Sequence, residues 1–216
     1  MSRGRPQDPL KQQQTMSALL DAARELLQQQ SYKSITIRQL AQQAGTQTAM
    51  ISYYFGSKQG LFEQLMVRTT EQRQRKLMAL AQELQMRPEG PIELMVNRIL
   101  DIVLSEPWLF RYFQSEMFSD QPNTELSELP QKIRAGIVAL FRLLQQQGVL
   151  RAEFDCEKVA ATFMSLLAFP LLSQPMFHTV FGLGLDELNS DAWRAHLCQL
   201  LQHGLVENAQ SKEGAQ

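Results

Sequence analysis

The stretch that decides the fold reads Thr36-Ile37-Arg38-Gln39-Leu40-Ala41-Gln42-Gln43-Ala44-Gly45-Thr46-Gln47-Thr48-Ala49-Met50-Ile51-Ser52-Tyr53-Tyr54-Phe55. Thr36 and Gln39 stand three apart, the spacing of a reciprocal capping box, so a short helix starts there with Ile37, Leu40 and Ala41 as its apolar positions. Gly45 takes the left-handed conformation at little cost and ends that helix. Thr46 then caps a further short helix over about 47–54, with Ile51 and Phe55 turned inward. A helix-turn-helix needs a small residue where its two helices approach, a Gly in the turn and apolar anchors on each helix. Ala41 is the small residue, Gly45 the turn, and Leu40, Ile51 and Phe55 the anchors. Gly45 follows Ala41 by four positions and precedes Ile51 by six, which suits the motif.

The face left over on the second of these helices is Gln47, Thr48, Met50, Ser52, Tyr53 and Tyr54. Its hydroxyls and amide suit phosphates and base edges, and Met50 suits a thymine methyl. It carries no Arg or Lys, so bidentate reading of guanine has to come from elsewhere. The plainer alternative is two short helices of an ordinary bundle whose polar residues face water. Lys58 follows Ser57 at the start of the next helix, where a cation beside free amide donors makes a phosphate seat. The alternative for Lys58 alone is a solvated surface lysine; with Tyr53-Tyr54 just upstream, the phosphate reading prevails. Arg3-Gly4-Arg5-Pro6 is a short basic arm. Either Arg3 and Arg5 enter a narrow minor groove or they belong to a disordered terminus, and an arm that orders only on DNA satisfies both.

Outward from this stretch the period is helical throughout, with no sustained alternation. A first helix is expected over about 10–29 on Met16, Leu19, Leu20, Ala23, Leu26 and Leu27, and a long one from Lys58 to about Gln85. Arg87-Pro88-Glu89-Gly90-Pro91 is the clearest break. Further helices are expected over about 91–105, 107–118, 127–148, 155–178 and 189–207, with a kink or split caused by Pro170 and Pro175.

The 216 residues, 44% apolar and 20% charged, are enough for a sizeable core and argue against disorder throughout. The net charge of −1 hides a division. Residues 1–87 hold 12 Lys/Arg against 6 Asp/Glu, and residues 88–216 hold 9 against 16, so a basic first part sits on an acidic body. Such asymmetry suits a protein of which one end meets a polyanion. No apolar run approaches the roughly 18 residues that span a bilayer, and Met1 to Pro6 is followed by no signal-peptide core; a cytoplasmic protein without membrane partners is the expectation. Cys156 and Cys198 make neither a disulfide framework nor a metal cluster, and no enzyme signature, metal site or cofactor motif is present.

Thr36 through Gly45, followed by Ala49-Met50-Ile51-Ser52-Tyr53-Tyr54-Phe55-Gly56-Ser57-Lys58-Gln59-Gly60-Leu61-Phe62, resembles the DNA-binding domain of the TetR/AcrR family over about residues 12–65. The resemblance implies an all-α homodimer: an N-terminal arm and three-helix helix-turn-helix domain over 1–60, joined to a larger helical effector-binding and dimerisation domain over 61–216. Thr36 and Arg38 would then touch phosphate. Thr48, Ala49, Met50, Ser52 and Tyr53 would lie in or beside the major groove, with Tyr54 and Lys58 holding the backbone; Gln47, from its place on the same open face, joins the DNA-binding set. Thr46 and Ser52 depart from the family's usual apolar residue and Tyr, which bears on base reading and not on the fold.

Beyond residue 91 the notable residues are soft and aromatic. Most are core, yet Met and Phe also line adaptable pockets. With the resemblance, an apolar effector is expected among Trp108, Arg111, Phe113, Met117, Phe141, Phe163, Phe169 and His178. The stripe Val159, Phe163, Leu166, Trp193, Leu197, Leu201 and Leu205 serves either the protomer's own core or, as the resemblance implies, a four-helix dimer seam. The resulting expectation is a ligand-responsive regulator, a repressor on a pseudo-palindromic operator that a small apolar effector releases. Its competitors are an architectural DNA binder without effector and a helical lipophile-binding protein.

Overall fold

The structure, a computed structural model, describes residues 9–87, 89–110, 112 and 128–205, with residues 128–130 and Leu205 described by backbone alone. Among the described residues there are helices and no strand. The elements are α1 (Pro9–Gln29), a 3-10 turn (Tyr32–Ser34), α2 (Ile37–Gln43), α3 (Ala49–Phe55), α4 (Lys58–Met86), α5 (Pro91–Leu104), α6 (Glu128–Gln146), α7 (Cys156–Leu172), α8 (Gln174–Phe181), α9 (Leu185–Leu188) and α10 (Asp191–Leu205). Residues 107–110 are also helical.

The chain divides into two compact units. The described part of the first is 9–69 with Tyr112; that of the second is 70–87, 89–110 and 128–205. The division falls at Thr69–Thr70, inside α4, and not at the 60–61 boundary drawn from the motif. The first turns of α4 bury Leu61, Phe62, Leu65 and Met66 in the first unit's core, so they fold with it.

In the first unit α1 contributes Leu19, Leu20, Ala22, Ala23, Leu26 and Leu27, close to the stripe read from its period, with Met16 only half-buried. Leu40 and Ile51 are wholly out of solvent, and each such side chain contributes about 1.5–3 kcal/mol by burial. Ile37, expected on the apolar face of α2, is exposed: as the first helical residue it lies beyond the Leu40–Ala41 face.

In the second unit α5 is buried on most of its circumference, through Ile92, Met95, Val96, Ile99, Leu100, Ile102 and Val103. So wide an apolar face packs into the interior and leaves Glu93, Arg98 and Asp101 as the exposed side. Arg194 fastens α10 to it: Nη1 donates to the Asn97 carbonyl at 3.1 Å and Nη2 to Asp101 Oδ1 at 2.8 Å. α6 and α7 pack with Phe141 and Phe163 edge to face at 5.4 Å. The helix expected over 155–178 with a kink or split is split into α7 and α8, bent by 85° at Ser173. Pro170 is tolerated inside α7, whereas Pro175 opens α8, where its missing N–H has no helical partner to lose. The short α9 was not anticipated.

The C-terminal stripe resolves toward the protomer. Val159, Phe163, Leu197 and Leu201 are buried within the chain's own core, Leu166 and Trp193 are half-buried, and the Leu205 side chain lies outside the described residues. Val159, Phe163, Leu197 and Leu201 are therefore corrected as seam residues, because a side chain already packed inside its own chain has no surface left for a partner; Leu166 and Trp193 keep part of theirs. The faces left open on these helices are other ones: Thr162, Ser165 and Phe169 on α7, and His196, Leu200 and His203 on α10.

Candidate nucleic-acid interface

The interface is assembled from local hydrogen bonds. At the start of α2 the Gln39 N–H donates to Thr36 Oγ1 at 3.2 Å, and the Thr36 N–H donates to Gln39 Oε1 at 2.9 Å. This closes the capping box and satisfies two amides that a helix start otherwise leaves open. At the far end Gly45, at φ +63°, reverses the chain. The Gly45 N–H reaches the Gln42 carbonyl at 3.2 Å and the Thr46 N–H reaches the Ala41 carbonyl at 2.9 Å, the paired bonds of a Schellman motif. Thr46 thus finishes the turn and does not cap the next helix. That helix starts at Ala49, and Thr48 occupies the cap position without a side-chain cap bond.

α3 is then a seven-residue rod held by one anchor, the buried Ile51, with Phe55 half-buried. Gln47, Thr48, Ala49, Ser52 and Tyr53 are exposed, Met50 and Tyr54 half-buried. The Tyr53 ring, 56% exposed, stands edge-on to Tyr54 at 4.9 Å, so the aromatic pair forms one platform. On α2, Thr36 and Arg38 are exposed. A groove runs from Lys11, Gln12 and Thr15 on α1 to Gly45–Gln47, Met50 and Tyr54. Lys11 was not singled out from the sequence; a lone lysine in a polar helix start carries no pattern by which to find it. Arg3 and Arg5 lie outside the described residues.

Lys58 departs from expectation. Its Nζ donates to the Tyr32 carbonyl at 2.8 Å and stands 4.4 Å above the Tyr32 ring. It is half-buried, and that burial lowers its pKa from the usual lysine value. The Tyr32 ring in turn meets Phe62 edge-on at 4.9 Å. Lys58 therefore ties the α1–α2 connection to the start of α4. Ser57 caps that start: its Oγ accepts the Gly60 N–H at 2.9 Å.

Of the expected effector positions, Trp108, Phe141 and Phe163 are buried in the second unit, while Phe169 and His178 are exposed on α7 and α8. Exposure removes Phe169 and His178 from any interior lining: Phe169 lies on the open side of α7, opposite the buried Pro170 and Leu171, and α8 buries none of its residues. Arg111, Phe113 and Met117 lie outside the described residues. A residue that sequence reading passed over is Arg73 on α4. Its Nε and Nη2 are buried and, among the described residues, without a hydrogen-bond partner. Burial pushes its pKa down to about 10, against an opposing pull from the Glu106 carboxylate. The signal was available: Arg73 continues the spacing of Leu77, Leu80 and Leu84, so a cation stands in an apolar stripe. Among the described residues no cluster of His, Cys, Asp and Glu is placed to hold a metal, and no single helix is long and apolar enough to cross a membrane.

These features define an all-helical protein with a helix-turn-helix head and a separate helical body. Residues 19–65 match the family model of bacterial regulatory proteins of the tetR family, and residues 88–201 match the tetracyclin repressor-like C-terminal domain. The chain belongs to the tetR family, a family of transcriptional regulators and not of enzymes. No curated protein matches it in sequence. Among solved structures it is similar to the transcriptional regulator FadR from Bacillus subtilis in complex with stearoyl-CoA, at 16% identity and a TM-score of 0.65, over 87% of this chain and 98% of that one. It is also similar to a candidate transcriptional regulator from Saccharomonospora viridis in complex with choline, at 21% identity and a TM-score of 0.67, over 89% and 98%. FadR from Bacillus halodurans matches at 17% identity and a TM-score of 0.60, over 94% and 98%. At these identities the likeness is one of fold.

Proposed function

We propose that this regulator is a cytoplasmic, ligand-responsive repressor that binds a pseudo-palindromic operator as a homodimer. The observation that carries the reading is α3: a rod anchored by the fully buried Ile51 that turns Thr48, Ala49, Ser52 and Tyr53 to solvent. A helix of an ordinary bundle has no need to hold four consecutive-face side chains clear of the protein. Thr36 and Arg38 take phosphates, Gln47, Thr48, Ala49, Met50, Ser52 and Tyr53 read the major groove, and Tyr54 supports the backbone contact. Lys58 keeps protons for a phosphate beyond the one given to Tyr32, since an ammonium has three donors. Arg3 and Arg5 enter the minor groove.

Two copies place two such rods in successive major grooves, about 34 Å apart. The seam is formed by the open faces of α7 and α10, around Phe169 and Leu200. Solved neighbours of this fold hold stearoyl-CoA and choline, which supports a ligand in the second unit. Release follows when the effector binds more tightly to the arrangement that cannot span both half-sites. The test is binding to DNA upstream of the chain's own reading frame at several salt concentrations. A salt-sensitive complex that survives excess unrelated DNA supports the reading; equal affinity for all sequences refutes it.

A further inference from the structure

The guanidinium of Arg73 is the one described side chain whose chemistry the fold leaves unanswered on both donors of a single edge. Nε and Nη2 are the two parallel N–H donors that meet the two oxygens of a carboxylate in a side-on pair. Arg98 uses this edge on Glu83, Nε at 3.2 Å and Nη2 at 3.1 Å from the same carboxylate oxygen. In Arg73 both atoms are withdrawn from solvent, and among the described residues neither has a partner.

The natural internal partner is Glu106, which is near enough to pull the Arg73 charge toward retention. Its carboxylate is instead engaged by the Trp108 indole N–H, and Trp108 is completely buried. Neither Nε nor Nη2 of Arg73 takes Glu106 as a hydrogen-bond partner. The apolar continuation is supplied by α4 itself: Leu77, Leu80 and Leu84 follow Arg73 on the same face, all buried. A half-buried guanidinium whose two edge donors are buried and unfilled beside a leucine stripe is unfavourable while empty and complementary to one kind of molecule.

We infer that Arg73 seats the acid group of a monocarboxylate effector with an apolar body, its two oxygens on Nε and Nη2 and its body toward the Leu77 side. The inference rests on the ligand-responsive reading above and names the chemistry of that ligand. A cationic ligand is disfavoured at this position by the same charge. Glu106 acts as a negative neighbour that holds the guanidinium in place and weakens the acid; removing its charge tightens binding.

The test uses the full-length protein and needs no DNA for its first arm. Thermal shift and calorimetric titration are run with octanoate, decanoate, dodecanoate and phenylbutyrate, the matched alcohols, decyltrimethylammonium and inorganic phosphate. At least one acid is expected to bind the native protein about tenfold or more tightly than its alcohol. Arg73→Met abolishes that preference, Arg73→Lys keeps only part of it because an ammonium lacks the paired edge, and Glu106→Gln strengthens it. Acids no better than alcohols, an acid preference that survives Arg73→Met, or full stabilisation by phosphate alone would each overturn the inference. Comparison of acid with alcohol on the unmodified chain decides the matter if the variants fail to fold. The second arm adds the best acid to the DNA complex. Acid binding without any DNA complex would fault the regulator reading alone, while a sound DNA complex indifferent to acids would fault the carboxylate seat alone.

Discussion

Lys58→Met separates two roles that a single lysine can fill at the edge of a DNA-binding head. The structure gives the ammonium a carbonyl acceptor, Tyr32 at 2.8 Å, and an aromatic face at 4.4 Å. A hydrogen bond to a charged donor contributes about 1.5–3 kcal/mol, and an exposed cation–π contact about 0.5–1 kcal/mol. Against this stand about 2 kcal/mol of lysine side-chain entropy and the partial desolvation of the ammonium. The net loss on substitution is about 1 kcal/mol, which for a chain of this size lowers Tm by about 2–4 °C. Methionine preserves the length of the stem, so packing changes little. The phosphate contact proposed for the lysine's remaining protons shows separately, as a slope of log K against log salt reduced by about 0.9 per protomer; a lysine spent on a phosphate alone lowers the slope with Tm unmoved. Differential scanning calorimetry at fixed protein concentration gives the first quantity, and fluorescence-anisotropy titration across a salt series gives the second. An unchanged Tm for Lys58→Met would refute the clamp, whatever happened to the slope.

Thr36→Ala removes an acceptor and a donor from the capping box and is expected to cost about 1 kcal/mol in denaturant unfolding, with no change in m. Gly45→Ala meets no atom within 4 Å but forces a Cβ residue to φ +63°, so it destabilises by about 1–2 kcal/mol without a packing defect, again read by denaturant unfolding. Arg38→Ala should weaken binding to all sequences alike and flatten the salt slope, whereas Ser52→Ala should alter sequence preference at constant slope; a panel of operator variants distinguishes them. Leu200→Glu falls on an open face of α10 and is expected to leave Tm per protomer nearly intact while shifting sedimentation toward the monomer, whereas Leu201→Glu buries a charge in the core and unfolds the second unit.

What could be read from the sequence was what local chemistry fixes. The Thr36–Gln39 box needs only residues three apart, and the left-handed turn at Gly45 only a residue without a side chain, so both were legible. The start of α3 was not, because Thr46 gives its backbone N–H to Ala41 and leaves no cap geometry for a hydroxyl to recognise. The clamp at Lys58 was not legible for a related reason: its partner, Tyr32, lies 26 positions away on a turn that no periodicity announces. The C-terminal stripe named the right apolar residues but not their partner. Val159 and Leu197 look the same in sequence whether they pack against their own chain or another. Arg73 was legible in principle, as a cation in register with three leucines, and was missed because a charge is ordinarily read as surface.

If the acid at Arg73 and the DNA at α3 are coupled, thermodynamics imposes a condition stronger than release itself. An acid that weakens DNA binding tenfold, about 1.4 kcal/mol of coupling, must itself bind tenfold more weakly to the DNA-bound protein. Titrating the acid into free protein and into the preformed complex should therefore give the same ratio as titrating DNA with and without saturating acid. Arg73→Met should bring both ratios to one while leaving DNA affinity in the absence of acid unchanged, since the side chain belongs to the second unit and the reading face to the first. A ratio that keeps rising with acid concentration and never levels off would mean that the acid displaces DNA by occupying the reading surface directly. In that case DNA and acid would compete for one site, the apparent acid affinity would fall without limit as DNA is raised, and Arg73 would have no part in regulation.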